Sequence, residues 1–514
     1  MSPVVLVPLL PLLASLIVLV GDEGSRNLRA KIAAFPIYAT FLGAIATLWL
    51  VATEGPITIR FYDPASLATL AFPIGFYIDR LSAVMMVLIA GVGTVIFTYS
   101  IGHMYQDLHD RRFLALIGLT ISVLLCMVSS VNLMMLFLVW QVISCLLYLL
   151  AHNHSHEATR KGAVRTFTLL RVGDVAFLSG IVLAYQLYGT LEFQPLFAKA
   201  AAPIMLSPWP GIEVSGTTVI TLLLFIGAMS KSAQFPLFIW LPGYLYAPTP
   251  ATALLHAGII NAGGFLINRL APLFGLSPTT LHVALVVGAL TAILGATMML
   301  VQNDIKNTLG FSTIGQMGYM IMECGLGAFS LAVFHLIAHG LFKATMFLNS
   351  GNVIHKARQE PAFPHADPHA EEQEFSRLTW FTGFATTLLI PLLILLVTHG
   401  VLHIPLLESQ GTVIFLFFIW VTSSQAILTL IRLRAVASWK VSVAMLLILL
   451  FVVFVYLFAV ESFTAFLYPN PGEVAAYFHA AALPNWLFDG LIGGTALVII
   501  FGWFYIYAQA HGQT

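Results

Sequence analysis

The feature that most constrains this chain is a succession of apolar segments, each about as long as a membrane crossing, separated by short polar loops. PVVLVPLLPLLASLIVLV (3–20) and TWFTGFATTLLIPLLILLV (379–397) carry no charged residue at all. A hydrocarbon core of ~30 Å is crossed by ~20 helical residues. In that core the backbone must satisfy its own hydrogen bonds, which leaves a helix or a closed barrel. The runs are continuous and do not alternate, so a barrel is excluded. Only 9% of the 514 residues are charged and 59% are hydrophobic. A soluble domain carries roughly 25% charged residues, so a soluble enzyme is excluded too. Net charge is +0, from 22 basic and 22 acidic residues, which leaves no basic footprint for nucleic acid. The fold class is an all-α polytopic membrane protein.

Fifteen spans are read, near 3–20, 32–52, 81–101, 113–129, 131–151, 164–187, 217–240, 250–271, 280–301, 307–323, 328–350, 378–399, 411–431, 441–461 and 485–508. Basic residues favour cytoplasmic loops. With the N-terminus outside, the inside loops hold Arg26, Arg29, Lys31, Arg111, Arg112, Arg160, Lys161, Arg165, Lys306, Lys356, Arg358, Arg377, Arg432, Arg434 and Lys440; the outside ends hold only Arg60, Arg80, Lys199 and Arg269. The C-terminus is then cytoplasmic, and the location is the cell inner (plasma) membrane. The first span has no basic residues before it and reads as an uncleaved crossing, not a signal peptide. Residues 1–112 form three N-terminal helices, 113–272 and 273–435 two five-helix sets, and 436–514 the last two helices. The two sets are offset by an odd number of spans, so they would be inverted repeats with broken helices in matching places.

Three basic residues remain, all within spans: Arg171, Lys231 and Lys343. A charge at membrane depth costs at least ~2.5 kcal/mol and marks a functional candidate. Asp174 follows Arg171 by three residues and can neutralise it on one helix face. Neither lysine has an acid at i±3 or i±4. Lys231 sits in GAMSKSAQFPLFIWLP, where Pro236 cannot donate to the helix ladder, so a break is expected there; Pro391 is expected to break span twelve likewise. In span eleven His335, His339 and Lys343 fall at i, i+4 and i+8, on one helix stripe. Titratable groups ~6 Å apart can pass a proton through water, and His titrates near neutrality. His256 adds a fourth such group in span eight.

Other signals are weaker. Cys126, Cys145 and Cys324 are scattered and read as apolar packing residues, with no metal site. His152, His154 and His156, and the acids of HADPHAEEQE in the 351–377 loop, read as solvated. No phosphate-binding loop, dinucleotide fingerprint or haem-attachment motif occurs, so no cofactor is expected on this chain.

Several long motifs resemble one family: RVGDVAFL (171–178) with YGTLEF (188–193), GAMSKSAQFPLFIWLP with APTPATALLHAG, and NDIKNTLGFSTIGQMGYM with AVFHLIAHGLFKATMFLNSGNVIH. They are similar to the proton-translocating, antiporter-like membrane subunits of respiratory complex I (NuoL-type) and of the Mrp cation/proton antiporters. The resemblance covers roughly 130–355 closely. It implies a proton path through Lys231, His256, His335, His339 and Lys343, with half-helices at spans seven and twelve.

The chain departs from the complex I pattern in four ways. The span-five acid after a Trp is Gln141 here, beside Trp140. The acids after WLP are replaced by Gly243, Tyr244, Leu245 and Tyr246. Span twelve lacks its lysine, and a long lateral helix is expected to be missing after AQAHGQT. LLHAGIINAGGFLINRLAPLF (254–274) is similar to the DabB branch, the membrane subunits of DabA–DabB inorganic-carbon accumulation systems. That resemblance implies a cytoplasmic DabA-like partner resembling a zinc β-carbonic anhydrase, which carries the zinc and the catalysis. The membrane subunit lets protons or Na+ run down their gradient to drive CO2 hydration to bicarbonate. Two other classes stay open: a subunit of a complex I, Mrp or hydrogenase-type assembly, and a non-conducting membrane anchor. With the acid lost at Gln141, Asp174 is the nearest acid by sequence, so it is expected to partner Lys231, with Arg171 shared between them.

Overall fold

The computed structural model describes residues 3–20, 26–62, 72–104, 109–152, 157–359 and 461–487, with 447, 454, 458, 490, 493, 494 and 497. The chain divides into two units, Met1–Ala357 and Arg358–Thr514. In the second, the described residues include a helix at Pro471–Ala481. Pro391, spans twelve and thirteen and most of spans fourteen and fifteen lie outside the described residues.

The first unit is a helical bundle. Its elements are α1 (Leu6–Val20), α2 (Arg26–Glu54), β1 (Ile57–Tyr62), β2 (Ile74–Ile78), α3 (Arg80–His103), α4 (Asp110–Val128), α5 (Leu133–Ala151), α6 (Glu157–Tyr188), α7 (Phe193–Ala200), β3 (Met205–Trp209), β4 (Ile212–Ser215), α8 (Gly216–Lys231), α9 (Leu241–Tyr244), α10 (Thr249–Ala257), α11 (Ala262–Arg269), α12 (Ala271–Gly275), α13 (Pro278–Leu300), α14 (Ile305–Gly325) and α15 (Phe329–Gln359). Among the described residues eight helical segments are long and apolar enough to cross a membrane.

Local sequence explains where the spans start and how they tolerate polar residues. Asp79, Asn132 and Asp304 cap α3, α5 and α14, each accepting the backbone N–H three residues on at 2.8–2.9 Å, which satisfies a donor the helix leaves free. Within the spans, Thr40, Thr47, Thr120 and Ser129 return their hydroxyls to the carbonyl four residues back, so these groups enter the bundle already paired.

The two ends of the bundle differ. At one, β1 pairs with β2 and β3 with β4 as antiparallel hairpins. Phe76 bridges to Ser130 and Asn132 to Glu192, and Arg60 pairs with Glu192 at 2.7 Å. At the other, Arg29 approaches Asp110 at 3.9 Å, Arg112 donates to the Leu149 carbonyl at 3.2 Å and Lys306 to the Ala247 carbonyl at 3.3 Å. The hairpins were not anticipated: their short strands lie in the loops at 52–81 and 187–217, where hydropathy registers only spans.

Span seven breaks where the sequence places the break. α8 ends at Lys231, and a 3₁₀ turn, Leu237–Trp240, begins after Pro236. The indole of Trp240 donates to the Ser230 carbonyl at 2.9 Å, and the Gln234 side chain donates to the Ser232 carbonyl at 2.9 Å. Backbone at membrane depth needs such internal partners. Span eight, read as one continuous helix, is also broken: α10 stops at Ala257 and α11 resumes at Ala262. Ser232 donates to the Ile260 carbonyl at 2.6 Å, so each break supports the other. Gly263 permits this contact, because a Cβ there would stand 2.4 Å from Ser232 Oγ and 2.5 Å from the Ala228 carbonyl oxygen. α13 and α14 meet as closely, since a Cβ on Gly318 would lie 2.4 Å from the Ala292 nitrogen. Small residues let helix backbones approach in this way.

Candidate functional site

The broken helix delivers Lys231 to the interior, where its side chain is 1% exposed. Its ammonium donates to Ser144 Oγ at 2.5 Å and to the Trp140 carbonyl at 3.4 Å, both on α5. It also stands 4.9 Å from the centroid of the Trp140 ring, within the range of a cation–π contact. The other edge of that indole donates from Nε1 to Asp174 Oδ1 at 2.9 Å.

Asp174 pairs with Arg171 one turn away on α6, at 2.8 Å. Arg171 in turn donates to the side-chain carbonyl of Gln141. Asp174 and Lys231, expected from sequence to be partners, make no direct ion pair; the indole of Trp140 bridges them. Trp140 fills the space between them, the nearer charge on α6 claims the carboxylate, and a hydroxyl takes the ammonium. Arg171 is shared between Asp174 and Gln141, not between Asp174 and Lys231.

α10 and α15 build a second cluster. Lys343, 1% exposed, donates to Ser312 Oγ at 2.9 Å and to the Leu309 carbonyl at 3.3 Å on α14. His335 and His339 stand with ring centroids 6.3 Å apart. His256 stacks on Phe347 at 4.2 Å with an interplanar angle of 12°. The ring nitrogens of His256 and His339 are buried and have no hydrogen-bond partner among the described residues. His335 differs: Nδ1 meets both carboxylate oxygens of Glu323 at 3.1 Å, and Nε2 meets Gln316 Oε1 at 3.0 Å.

Sequence reasoning missed Ser144, Ser312, Gln316 and Glu323. Three of them are polar residues that need no explanation on a helix. Glu323 was legible: an unpaired acid near the end of an apolar span is itself a candidate. A further ionic contact lies outside both clusters, where Arg269 at the end of α11 clasps both oxygens of Asp79 at 2.6 and 3.0 Å.

The two buried amines, held by hydroxyls and carbonyls, can accept and release protons without a fixed countercharge locking either form. The family profile described as NADH:quinone oxidoreductase/Mrp antiporter, TM, matches residues 130–419, and that of complex I chain 5 N-terminus matches 65–114. The chain is 41% identical over 99% of its length to "Probable inorganic carbon transporter subunit DabB1" of Halothiobacillus neapolitanus, covering 90% of that protein. It is 35% identical over 74% of its length to NADH-quinone oxidoreductase subunit L of Neisseria meningitidis serogroup A, covering only 58% of that longer chain. The fold matches the Mrp complex of Dietzia sp. DQ12-45-1b with a TM-score of 0.60 and 22% identity, over 95% of this chain and 50% of that one. With nearly its whole length aligned to an inorganic carbon transporter subunit and its central helices to the shared antiporter core, the chain belongs to the NADH:quinone oxidoreductase/Mrp antiporter family of membrane proteins.

Proposed function

We propose that this chain is the ion-conducting membrane subunit of an inorganic-carbon accumulation system. Protons run down their gradient through it, and the flux drives conversion of CO2 to bicarbonate on a cytoplasmic, carbonic-anhydrase-like DabA partner that holds the zinc. The observation that carries the reading is the 41% identity to the DabB1 subunit over 99% of the chain. The buried line supports conduction over passive anchoring, because an anchor gains nothing from holding Lys231 and Lys343 desolvated. In this reading the chain sits in the plasma membrane with its N-terminus outside and its C-terminus cytoplasmic, as the distribution of basic residues favours.

The geometry supports the following working parts. Lys231 at the break of α8 and Lys343 on α15 are the two amine stations, and His256, His339 and His335 are the imidazole stations. Arg171 and Asp174 set the field beside the first amine. The test is expression with and without a DabA-like partner in a cell lacking carbonic anhydrase. Growth in ordinary air only when both are present, with the two co-purifying, is the expected result. Rescue by this chain alone, or co-purification with quinone-reductase or Mrp subunits instead, overturns the reading.

A further inference from the structure

Glu323 is the one acid of α14, two residues before the helix ends at Gly325, and it has no counterpart in the proposed path. Its carboxylate lies against His335 Nδ1, while His335 Nε2 lies against Gln316 Oε1. An imidazole has one proton in its neutral form and two when charged. With Gln316 so oriented, Nε2–H donates to the amide oxygen. One proton then remains to be shared between Nδ1 and the carboxylate. It rests on the ring, giving an imidazolium facing a carboxylate, or on Glu323, giving a neutral pair.

Burial separates this pair from the other stations. The His335 and Glu323 side chains are 17% and 14% exposed, whereas His339 is 5% and His256 0% exposed. Exposure is thus highest at the His335–Glu323 pair, while the residues of the turn between α14 and α15, Leu326, Ala328 and Phe329, are buried. That turn lies at the hairpin end of the bundle, since α14 begins beside Lys306 at the opposite end.

We propose that Glu323 carries protons, and that the proton it shares with His335 is the last station of the relay on the side of the α14–α15 turn. The inference rests on the conducting reading above.

The test compares Glu323→Gln, Glu323→Asp and Lys343→Ala in cells expressing the full chain with its carbonic-anhydrase-like partner. Inorganic-carbon uptake is measured at matched membrane levels. Glu323→Gln is expected to lower uptake at least about tenfold, as loss of a proton-transferring group does, and Glu323→Asp to recover most of it. A second measurement needs no variant. Dicyclohexylcarbodiimide attacks protonated carboxyls in apolar surroundings, so it is expected to label Glu323 in the purified native complex and to block uptake. Wild-type uptake in Glu323→Gln alongside loss in Lys343→Ala overturns the role of Glu323 and leaves the relay standing. Wild-type uptake in both removes the conducting reading itself. If Glu323→Gln fails to accumulate, labelling decides: an unlabelled Glu323 overturns the proposal.

Discussion

Trp140 donates its indole N–H to Asp174 at 2.9 Å while the face of the same ring lies 4.9 Å from the Lys231 ammonium. The amine and the carboxylate are thus joined through an aromatic ring, and the amine can change its charge without breaking a direct ionic contact, while the carboxylate's ionic contact is with Arg171.

Coupling through the ring is measurable. Trp140→Phe keeps an aromatic face toward Lys231 and removes the donor to Asp174. Inorganic-carbon uptake is expected to fall several-fold, and Asp174→Asn is expected to fall similarly. Groups sharing a hydrogen bond do not act additively, so the double variant should be little worse than either single one. Multiplicative losses in the cycle argue that the two groups work separately.

Lys231 depends on Ser144. A hydrogen bond to a charged group is worth about 1.5–3 kcal/mol, so Ser144→Ala should cut uptake about tenfold or more at unchanged protein level. Ser144→Thr, which restores the hydroxyl, should return most of it. Equal uptake in the alanine variant would show that the ammonium finds another acceptor.

The α15 stripe should behave as a pathway and not as packing. Lys343→Ala, or His335→Ala with His339→Ala, should abolish uptake while the chain still inserts and accumulates. Quantitative blotting of membranes beside isotopic uptake separates the two roles, since a packing defect lowers abundance first.

The Asp79–Arg269 clasp gives an acid limb to stability. Burial pushes the Asp79 carboxyl up, but the Arg269 guanidinium and hydrogen bonds from Ser82 outweigh it and hold it below its ordinary value. A depressed carboxyl contributes fully above its unfolded pKa of about 3.9 and loses that contribution as pH falls toward the folded value. The thermal midpoint of the detergent-solubilised chain should therefore drop below about pH 4. Asp79→Asn should be less stable at pH 7 and show a shallower drop on acidification; an unchanged slope would assign the acid limb to other carboxylates.

What could be read from sequence follows physical rules of short range. The spans announce themselves by composition, the α8 break by Pro236, and the His335–His339–Lys343 stripe by helical spacing. The break at Gly258–Asn261 was hidden, because no proline marks it and its support, Ser232, comes from another helix. Ser144 and Lys231 are 87 residues apart in the chain, a distance over which spacing says nothing. Nearness in sequence pointed to Asp174 as the partner of Lys231, but it could not show that Trp140, on another helix, stands between them.

The end of α8 has one more consequence. Lys231 is its last residue, so its backbone stands at the C-terminal pole of a helix whose aligned peptide dipoles sum to roughly half a negative charge there. That pole supplies some of the field that a span-five acid would give, and peptide groups do not titrate. A neighbouring carboxylate would lose its influence once protonated; the pole of a broken helix keeps its own at every pH. Replacing an acid by Gln141 thus leaves one part of the field at this lysine fixed by backbone geometry, beside the part that Arg171 and Asp174 set, and that fixed part changes only if the break itself moves.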